Sequence, residues 1–328
     1  MLTFLAKIYT SFVQRRNDAF NNHKRPIVTI NAPVISVGNI LAGGTGKTPV
    51  VQYLVRELQL RGYTPAVVLR GYRRSTKGLR VVHNGERTVA TVAEAGDEAY
   101  LHATALGVVV VVCEDKVEAA RVAVADYHCD VVVVDDGYQH RSLHRDVDIV
   151  MVDNATVHGS VFPVGRLREP LTELSRAHIV VCTKDVYSTD IRAYVSPHAS
   201  IVRCSFSATP AVRCDNAEYV LPPGSAVYAV SGIAQPERFA EMLRYVGYRI
   251  EGSVEYRDHH HYTEEQIIRH LAEAADCNAH LVTTSKDAVK ILPLLAKIKG
   301  NAEVYLLPLS VQFSEPGIME CIIKRIQQ

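Results

Sequence analysis

A glycine-rich loop lies between an apolar segment and a predicted helix, and it limits the possible folds more than any other feature of the sequence. Residues 34–37 read Val-Ile-Ser-Val, which is typical of a short strand, and residues 49–60 are predicted to be helical. Pro49 suits the first helical turn, where its missing N–H leaves no hydrogen bond unmade. The loop between them is Ala42-Gly43-Gly44-Thr45-Gly46-Lys47-Thr48. A strand, such a loop and a helix in this order predict a phosphate-binding α/β fold.

The residue types in this loop suit the phosphates of ATP. Glycines let backbone N–H groups curl around phosphate oxygens, and the helix adds the positive end of its dipole. We expect Lys47 to contact the β- and γ-phosphates and the Thr48 hydroxyl to ligate Mg²⁺. The usual pattern begins with glycine where this chain has Leu41, but three glycines remain to supply flexibility. The predicted ATP-binding residues are Leu41, Ala42, Gly43, Gly44, Thr45, Gly46, Lys47 and Thr48.

A second apolar segment, residues 131–134, is followed directly by Asp135 and Asp136. Acids at the carboxyl end of a buried strand can hold Mg²⁺ beside a phosphate-binding loop. Acids at strand ends are also common as solvated turn residues, and the nearby glycine loop is what favours the metal interpretation. ATP and Mg²⁺ are therefore the predicted cofactors.

Apolar, strand-like segments alternate with helical segments along much of the chain. The strand-like segments are residues 34–37, 66–69, 107–113, 131–134, 149–152 and 179–182. Continuous apolar strands that alternate with helices predict a mostly parallel sheet covered by helices on both faces. The predicted fold class is α/β, a P-loop NTPase-like sheet plus a smaller α/β C-terminal domain after a Ser-, Pro- and Gly-rich junction. We place the domain boundaries at 1–30, 31–207 and 208–328.

Composition argues against several classes of protein. The net charge is +1, without the basic excess typical of nucleic-acid-binding proteins, so we predict no nucleic-acid partner. The 7 cysteines are scattered, odd in number and form no Cys-x-x-Cys pair, which argues against a disulfide framework or a zinc site. No run of 18 apolar residues is present, so we expect no transmembrane helix.

The first residues of the chain have an amphipathic helical pattern. At 100° per residue, the apolar side chains of residues 1–13 fall on one half of the helical wheel. These side chains are Met1, Leu2, Phe4, Leu5, Ile8, Tyr9, Phe12 and Val13. Five basic residues and one acid lie within the first 26 positions. The helix either packs on the protein's own core or lies on an anionic membrane surface, and the pattern is compatible with both.

Asp97 and His259 are candidate functional residues outside the loop. Asp97 begins a predicted helix, where an acid commonly serves as a cap. His259 lies in the string Asp258-His259-His260-His261-Tyr262. Adjacent histidines do not converge on one metal ion unless the backbone turns sharply, so the string favours a single orienting or catalytic histidine over a metal cluster.

Several unusual strings occur in a fixed order along the chain. They are Ser36-Val37-Gly38-Asn39, Leu69-Arg70-Gly71-Tyr72, Gly96-Asp97-Glu98, Asp135-Asp136-Gly137-Tyr138-Gln139-His140, Gly165-Arg166-Leu167-Arg168-Glu169-Pro170, Asp258-His259-His260 and Thr283-Thr284-Ser285-Lys286-Asp287. Together with the glycine loop, this set resembles the tetraacyldisaccharide 4′-kinases of lipid A synthesis. The resemblance runs from residue 36 to residue 287, which is most of the chain.

The resemblance implies a reaction and a location. The γ-phosphate of ATP would pass to the 4′-hydroxyl of tetraacyldisaccharide 1-phosphate, and the product would be the bis-phosphorylated lipid A precursor, lipid IVA. Because such a substrate stays in a bilayer, the resemblance also implies peripheral attachment to the cytoplasmic face of the inner membrane. It therefore favours the membrane-surface interpretation of the N-terminal helix.

The resemblance also implies roles for individual residues. Asp97 would act as general base on the sugar hydroxyl with the help of His259, and Lys47 would be catalytic. The remaining implied roles are Mg²⁺ binding by Thr48, Asp135, Asp136 and Glu169, and substrate or phosphate contact by Arg70, Lys116, Gln139, His140 and Arg168. Two departures stand out: Lys116 replaces the family's usual arginine and loses its bidentate fork, and Arg73 replaces a glycine.

Two other functions remain as alternatives. A kinase for a soluble sugar or another small molecule would not need the N-terminal helix. A nucleotide-dependent switch or partitioning ATPase would share the strand–loop–helix arrangement and hydrolyse ATP without an acceptor. The strings outside the glycine loop argue against the switch.

Overall fold

The computed structural model describes residues 1–183, 186–298, 303–315 and 317–327. Within these ranges the chain forms two α/β units, each built on its own sheet. The strands of the larger sheet are β1 (Val34–Asn39), β2 (Pro65–Leu69), β3 (Arg80–His83), β4 (Val109–Val112), β5 (Val131–Asp135), β6 (Val147–Val152), β7 (Ile179–Thr183), β8 (Ser200–Ala208) and β14 (Leu309–Phe313). Those of the smaller sheet are β9 (Val212–Arg213), β10 (Ala226–Ser231), β11 (Arg249–Glu255), β12 (His280–Thr284) and β13 (Val304–Leu307).

The helices of the structure include those predicted at residues 1–13, at residues 49–60 and from Asp97 onward. They are α1 (Leu2–Asn21), α2 (Lys47–Leu60), α3 (Val92–Ala95), α4 (Asp97–Leu106), α5 (Lys116–Ala125), α6 (Asn154–Val157), α7 (Ser188–Ile191), α8 (Pro236–Val246), α9 (Glu264–Asp276), α10 (Ser285–Leu295) and α11 (Ile318–Ile326). Short 3₁₀ helices cover Leu171–Arg176 and Arg192–Tyr194.

The larger sheet has the strand order β14-β8-β7-β6-β1-β5-β2-β4-β3. Its inner strands run parallel, and the edge strands β3 and β14 run antiparallel to their neighbours. Apolar side chains of α2, α4 and α11 cover one face, while α5 packs on the other. Because both faces are covered, β1 and β5 are buried along their whole length, as continuous apolar runs require. The predicted fold class is confirmed.

The smaller sheet has the order β11-β10-β12-β13-β9 and packs against helices including α8, α9 and α10. The chain then returns to the larger sheet, because β14 pairs with β8 and α11 contributes Ile318, Met319 and Ile322 to the larger core. The boundary predicted at 208–328 therefore misses this return. Pairing of β14 at the sheet edge and burial of the apolar face of α11 attach these last elements to the larger unit.

The N-terminal helix α1 extends to Asn21, well beyond the residues 1–13 of the predicted pattern. Its second half packs on the larger unit, where Val13, Asn17 and Phe20 are buried. Apolar side chains nearer the start of the helix face outward, with Phe4 67% and Phe12 68% exposed. The apolar side of the helix is thus only partly used by the protein's own core. Among the described residues, no helix combines the length and apolar character that crossing a bilayer requires.

Candidate active site

The glycine loop joins the end of β1 to the start of α2 and has the open backbone that a phosphate cradle needs. Gly43 and Gly46 adopt φ values of 122° and 85°, a region that side chains disfavour. A Cβ on Gly46 would lie 2.3 Å from the ring of Phe206, whereas a Cβ on Gly44 would meet nothing within 4 Å. Asn39 supports the loop, since its Nδ2 donates to Thr45 Oγ1 at 2.9 Å.

Asp136 lies beside the loop because β5 pairs with β1 in a register that sets Asp135 opposite Val37. Asp136 Oδ2 accepts a hydrogen bond from Arg168 at 2.8 Å, and Lys47 Nζ lies 3.5 Å from its Oδ1. Burial would raise the pKa of Asp136, but Lys47 and Arg168 outweigh it and hold that pKa well below its ordinary value. The Asp136 carboxylate is therefore ionised and can bind a cation.

Asp135 is buried and is oriented by a histidine that the sequence analysis did not identify. His102 Nε2 lies 2.9 Å from Asp135 Oδ2, and the imidazole is fully buried. His102 belongs to α4, five residues after Asp97 on the same helix. One helix thus supports both the acids beside the glycine loop and Asp97.

Asp97 and His259 come from different units and meet in the structure. His259 Nδ1 lies 2.8 Å from Asp97 Oδ2. The other oxygen, Asp97 Oδ1, accepts from the backbone N–H of Glu98 at 3.0 Å. Only this oxygen therefore makes a local hydrogen bond at the start of α4. Burial would raise the pKa of Asp97, but the hydrogen bond from His259 and the charge of Lys286 outweigh it and lower that pKa. Asp97 is accordingly a buried, ionised carboxylate.

Two of the three adjacent histidines, His259 and His260, have different partners. His259 adopts φ 63° and faces Asp97, whereas His260 stacks on Tyr256 with ring centroids 3.9 Å apart. His260 Nε2 also lies 3.1 Å from Gln266 Oε1. Within the described ranges, no group of three or more His, Cys, Asp or Glu side chains is placed to hold a metal ion.

Lys116 supports the end of β5 through the backbone carbonyl groups of Asp135 and Asp136. Its Nζ donates to the carbonyl oxygens of Asp135 at 2.7 Å and Asp136 at 2.5 Å. Burial lowers the pKa of Lys116 to about 8, although the two nearby carboxylates oppose the shift. The structure therefore places the ammonium on the strand end and not at the surface of the cradle.

Gln139, His140 and Arg70 differ in how closely they join the site. Gln139 Nε2 donates to Asn39 O at 2.9 Å, and its Oε1 lies 3.4 Å from Arg168 Nη1. His140 Nε2 lies 3.1 Å from Ser142 Oγ and 3.6 Å from Asp115 Oδ1. The Arg70 side chain is exposed.

Glu169 does not join the other predicted metal ligands. Its side chain is fully buried, and Arg16 donates to its Oε1 at 2.7 Å. Its Oε2 forms an ion pair with Arg176, and Asn17 also contacts the carboxylate. Both oxygens are held by cationic or amide groups, so Glu169 joins α1 to the larger unit, and its role as a Mg²⁺ ligand stays a prediction.

Comparisons with known proteins agree on one family. The sequence model of the family described as "Tetraacyldisaccharide-1-P 4'-kinase" matches residues 1–327. The tetraacyldisaccharide 4′-kinase of Geobacter sulfurreducens is 36% identical over 337 residues, which cover 99% of this chain and 93% of that protein. That of Aeromonas hydrophila is 35% identical over 299 residues, covering 88% and 83%. The chain belongs to the tetraacyldisaccharide 4′-kinase family.

The fold of this 4′-kinase family member also matches a solved relative. A crystal structure of LpxK from Aquifex aeolicus, described as an "apo" form in complex with ATP, aligns with a TM-score of 0.80 at 27% identity. The alignment covers 98% of this chain and 97% of that one. The family predicted from the motifs is confirmed, and with it the predicted enzyme class, a kinase.

Two residues of the 4′-kinase site escaped the sequence analysis. His102 has no motif that marks it, because it reaches Asp135 only through the packing of α4 on the sheet. Lys286 lies in one of the strings that carry the resemblance, but no role was inferred for it. Its Nζ lies 3.2 Å from Asp258 Oδ1 and 3.3 Å from His259 Nε2. The string thus marked Lys286 as a residue of interest, but its contacts with Asp258 and His259 could be identified only from the structure.

Proposed function

We propose that this protein transfers the γ-phosphate of ATP to the 4′-hydroxyl of tetraacyldisaccharide 1-phosphate, forming lipid IVA. The observation that carries the proposal is that α4 links two clusters. Asp97, at its first residue, pairs with His259, and His102, five residues later, holds Asp135 beside the glycine loop. Five residues span about 7.5 Å along a helix, so Asp97 is close enough to the glycine loop to act as base on a hydroxyl that accepts the γ-phosphate.

The loop and its neighbours supply the site for ATP. Backbone N–H groups around Gly43, Gly44 and Gly46 would surround the phosphates, and Lys47 would neutralise their charge. Lys47 and Arg168 now face Asp136, so cationic groups are already gathered where phosphate oxygens would lie. Phosphoryl transfer depends mainly on such positioning and charge stabilisation.

The residues beside the loop fit a magnesium ion. Asp136 Oδ1 is buried and, among the described residues, has no hydrogen-bond partner, although Lys47 lies at 3.5 Å. Thr48, Asp135 and Asp136 are the oxygen donors that would hold the ion, a donor set that Mg²⁺ prefers. When bound, Mg²⁺ neutralises charge on the phosphates.

The Asp97–His259 pair supplies the base for the acceptor. The Asp97 carboxylate takes the proton of the 4′-hydroxyl, whose oxygen forms a bond to the γ-phosphorus. The bond between that phosphorus and the bridging oxygen breaks, and ADP leaves with the electron pair. His259 holds the carboxylate in place from the second unit, which makes the approach of the two units part of the chemistry.

The N-terminal helix would bring the active site to the lipid. Phe4, Ile8 and Phe12 expose an apolar face, and Phe162 adds an exposed ring that contacts Tyr9 edge-on at 5.6 Å. Tyr9 also donates to the carbonyl oxygen of Arg168 at 3.1 Å, which couples this surface to the phosphate site. An amphipathic helix of this kind lies in a membrane interface without crossing it. This helix supports peripheral attachment to a membrane, and we propose the cytoplasmic face of the inner membrane because the family resemblance implies that location.

A direct assay tests the reaction. Labelled ATP, Mg²⁺ and tetraacyldisaccharide 1-phosphate in detergent micelles should yield a labelled lipid, and Lys47→Ala should abolish that product while the fold survives. Lys77→Ala, which replaces a lysine outside the cradle, is the control. A folded, ATP-binding protein that forms no lipid product would overturn the proposal, and ATP hydrolysis without an acceptor would favour the switch.

A further inference from the structure

Lys286 is the cationic centre of a group of side chains that lies where the two units meet. It stands in the first turn of α10, and its side chain is only 19% exposed. Its Nζ lies 3.2 Å from Asp258 Oδ1, 3.5 Å from Glu98 Oε1 and 3.8 Å from Asp97 Oδ2. Two of these three carboxylates belong to α4 of the larger unit, so the lysine attracts that helix from the smaller one.

The same ammonium also contacts the imidazole that pairs with Asp97. Lys286 Nζ lies 3.3 Å from His259 Nε2. A protonated lysine can only donate hydrogen bonds, so the nitrogen that faces it must present its lone pair. Burial would lower the pKa of Lys286, but the nearby carboxylates outweigh it and raise that pKa, so the ammonium form persists at neutral pH.

Two groups face His259 Nε2: the Lys286 ammonium at 3.3 Å and Asp258 Oδ2 at 3.7 Å. The ammonium is the nearer of the two, and we infer the position of the imidazole proton from its contact. If Nε2 accepts from Lys286, the proton of the neutral imidazole must lie on Nδ1. Nδ1 is the atom 2.8 Å from Asp97 Oδ2, so the imidazole donates to the carboxylate. The opposite tautomer would set two donors, Nε2–H and the ammonium, against each other and leave Nδ1 and the carboxylate as two facing acceptors.

We propose that Lys286 is a positioning residue that fixes His259 as the Nδ1–H tautomer and thereby aims the Asp97 carboxylate at the acceptor hydroxyl. This inference rests on the proposed function, since it assigns Asp97 the role of base. Lys286 itself does not touch the reacting atoms. It acts by donating to Nε2 and by placing a positive charge beside Asp97.

The charged and titratable groups around Lys286 come from several elements. They are Asp97 and Glu98 on α4, Asp258 and His259 on the loop before α9, Tyr72 and Arg73 on the loop after β2, and Asp287 and Lys290 on α10. Among them, three carboxylates lie within 4 Å of the Lys286 ammonium. Removing the Lys286 ammonium therefore leaves uncompensated negative charge beside Asp97, which raises the pKa of the Asp97 carboxylate.

Lys286→Met tests the proposal through the pH dependence of the rate. We expect kcat to fall about 10²-fold or more, as for loss of general-base function, with KM for ATP nearly unchanged. The acidic limb of the kcat/KM profile should move to higher pH, because losing the cation raises the pKa of Asp97 and the base is inactive when protonated. Lys286→Arg should restore most of the rate and the position of that limb, because it retains a cation and a donor.

Lys297→Met provides a matched control. Lys297 pairs with Glu264 at 3.1 Å, and both side chains are largely exposed. Its replacement should change neither kcat nor the pH profile. If Lys286→Met alters only KM, or lowers kcat without moving the acidic limb, the proposed role is wrong.

A spectroscopic measurement tests the tautomer without any substrate. The ¹⁵N shifts of the His259 ring, assigned by their loss in His259→Gln, should report Nδ1–H and unprotonated Nε2 in the wild-type protein near neutral pH. A wild-type Nε2–H tautomer would overturn the inference even if Lys286→Met failed to fold. Absence of lipid phosphorylation by the wild-type protein would instead count against the proposed function, so the two failures are distinguishable.

Discussion

Asp97 and His259 are separated by 162 positions in the chain, yet their carboxylate and imidazole lie 2.8 Å apart. Asp97 is held by the larger unit and His259 by the smaller one, so the pair exists only when the two units approach each other.

Asp97→Asn should depress the chemical step while leaving ATP binding intact. The amide retains the shape of the carboxylate but cannot take the proton, so we expect kcat to fall about 10²–10⁴-fold. Rapid-quench kinetics and calorimetric titration with ATP would measure the two effects separately. Asp126→Asn, at an exposed acid after α5, is the control. A loss confined to ATP affinity would show that Asp97 serves the nucleotide and not the acceptor.

Gly46→Ala should damage the cradle more than Gly62→Ala, although the two glycines have similar φ values of 85° and 84°. A side chain at such a φ costs about 1–2 kcal/mol. Only the Cβ at Gly46 would meet a neighbour, the Phe206 ring at 2.3 Å, whereas Gly62 faces open space. Both variants should lower the free energy of unfolding, but only Gly46→Ala should weaken ATP binding, by about tenfold or more.

The double variant Gly46→Ala with Phe206→Ala provides the control for that clash. Removing the ring should restore part of the ATP affinity. Equal ATP affinities for Gly46→Ala and Gly62→Ala would contradict the prediction.

Phe4→Glu combined with Phe12→Glu should abolish binding to anionic lipid vesicles without unfolding the protein. Both rings are more than 60% exposed, so their replacement should change the free energy of unfolding by less than about 0.5 kcal/mol each. Vesicle sedimentation and urea unfolding would measure the two properties. Leu60→Glu, at an 80% exposed residue of α2, should leave vesicle binding unchanged. A large loss of stability would show that this face packs on protein.

Glu169→Gln should destabilise the fold and leave the magnesium requirement unchanged. The substitution leaves Arg16 and Arg176 beside a neutral buried group, and breaking a buried ion pair costs about 3–5 kcal/mol. Glu57→Gln removes a surface pair with Arg61 and should cost about 1 kcal/mol or less. Urea unfolding and Mg²⁺ titration of activity distinguish the outcomes. A stable variant that needs much more Mg²⁺ would return Glu169 to the metal site.

Lys116 should make stability rise with pH on the alkaline side. Its folded-state pKa is about 8, below the ordinary value of 10.5, so the unfolded chain binds more protons between these pH values. The free energy of unfolding contributed by this residue therefore increases with pH in that window, by about 1.4 kcal/mol per pKa unit. Urea unfolding at pH 7.5 and pH 10 should show a smaller gain for Lys116→Met than for the wild type. Equal gains would contradict the lowered pKa.

Much of the larger unit and its phosphate cradle could be predicted because their signals are local. The apolar run of β5, the acids that follow it and the glycines before Lys47 each occupy a few consecutive positions, and backbone geometry translates them directly into a strand end and a loop. Register then brings Asp135 beside Val37, as expected for adjacent parallel strands.

Local sequence patterns specify the fold class, the family and the residue types of the site, but the packing of distant elements specifies which of those residues meet. Glu169 lies next to Arg168 in the chain, yet its carboxylate turns into the protein toward Arg16 and Arg176, because a buried charge needs a partner. The return of β14 to β8, the support of Asp135 by His102 and the approach of Lys286 to Asp97 join distant segments. Because such contacts depend on how whole elements pack, no local sequence pattern predicts them.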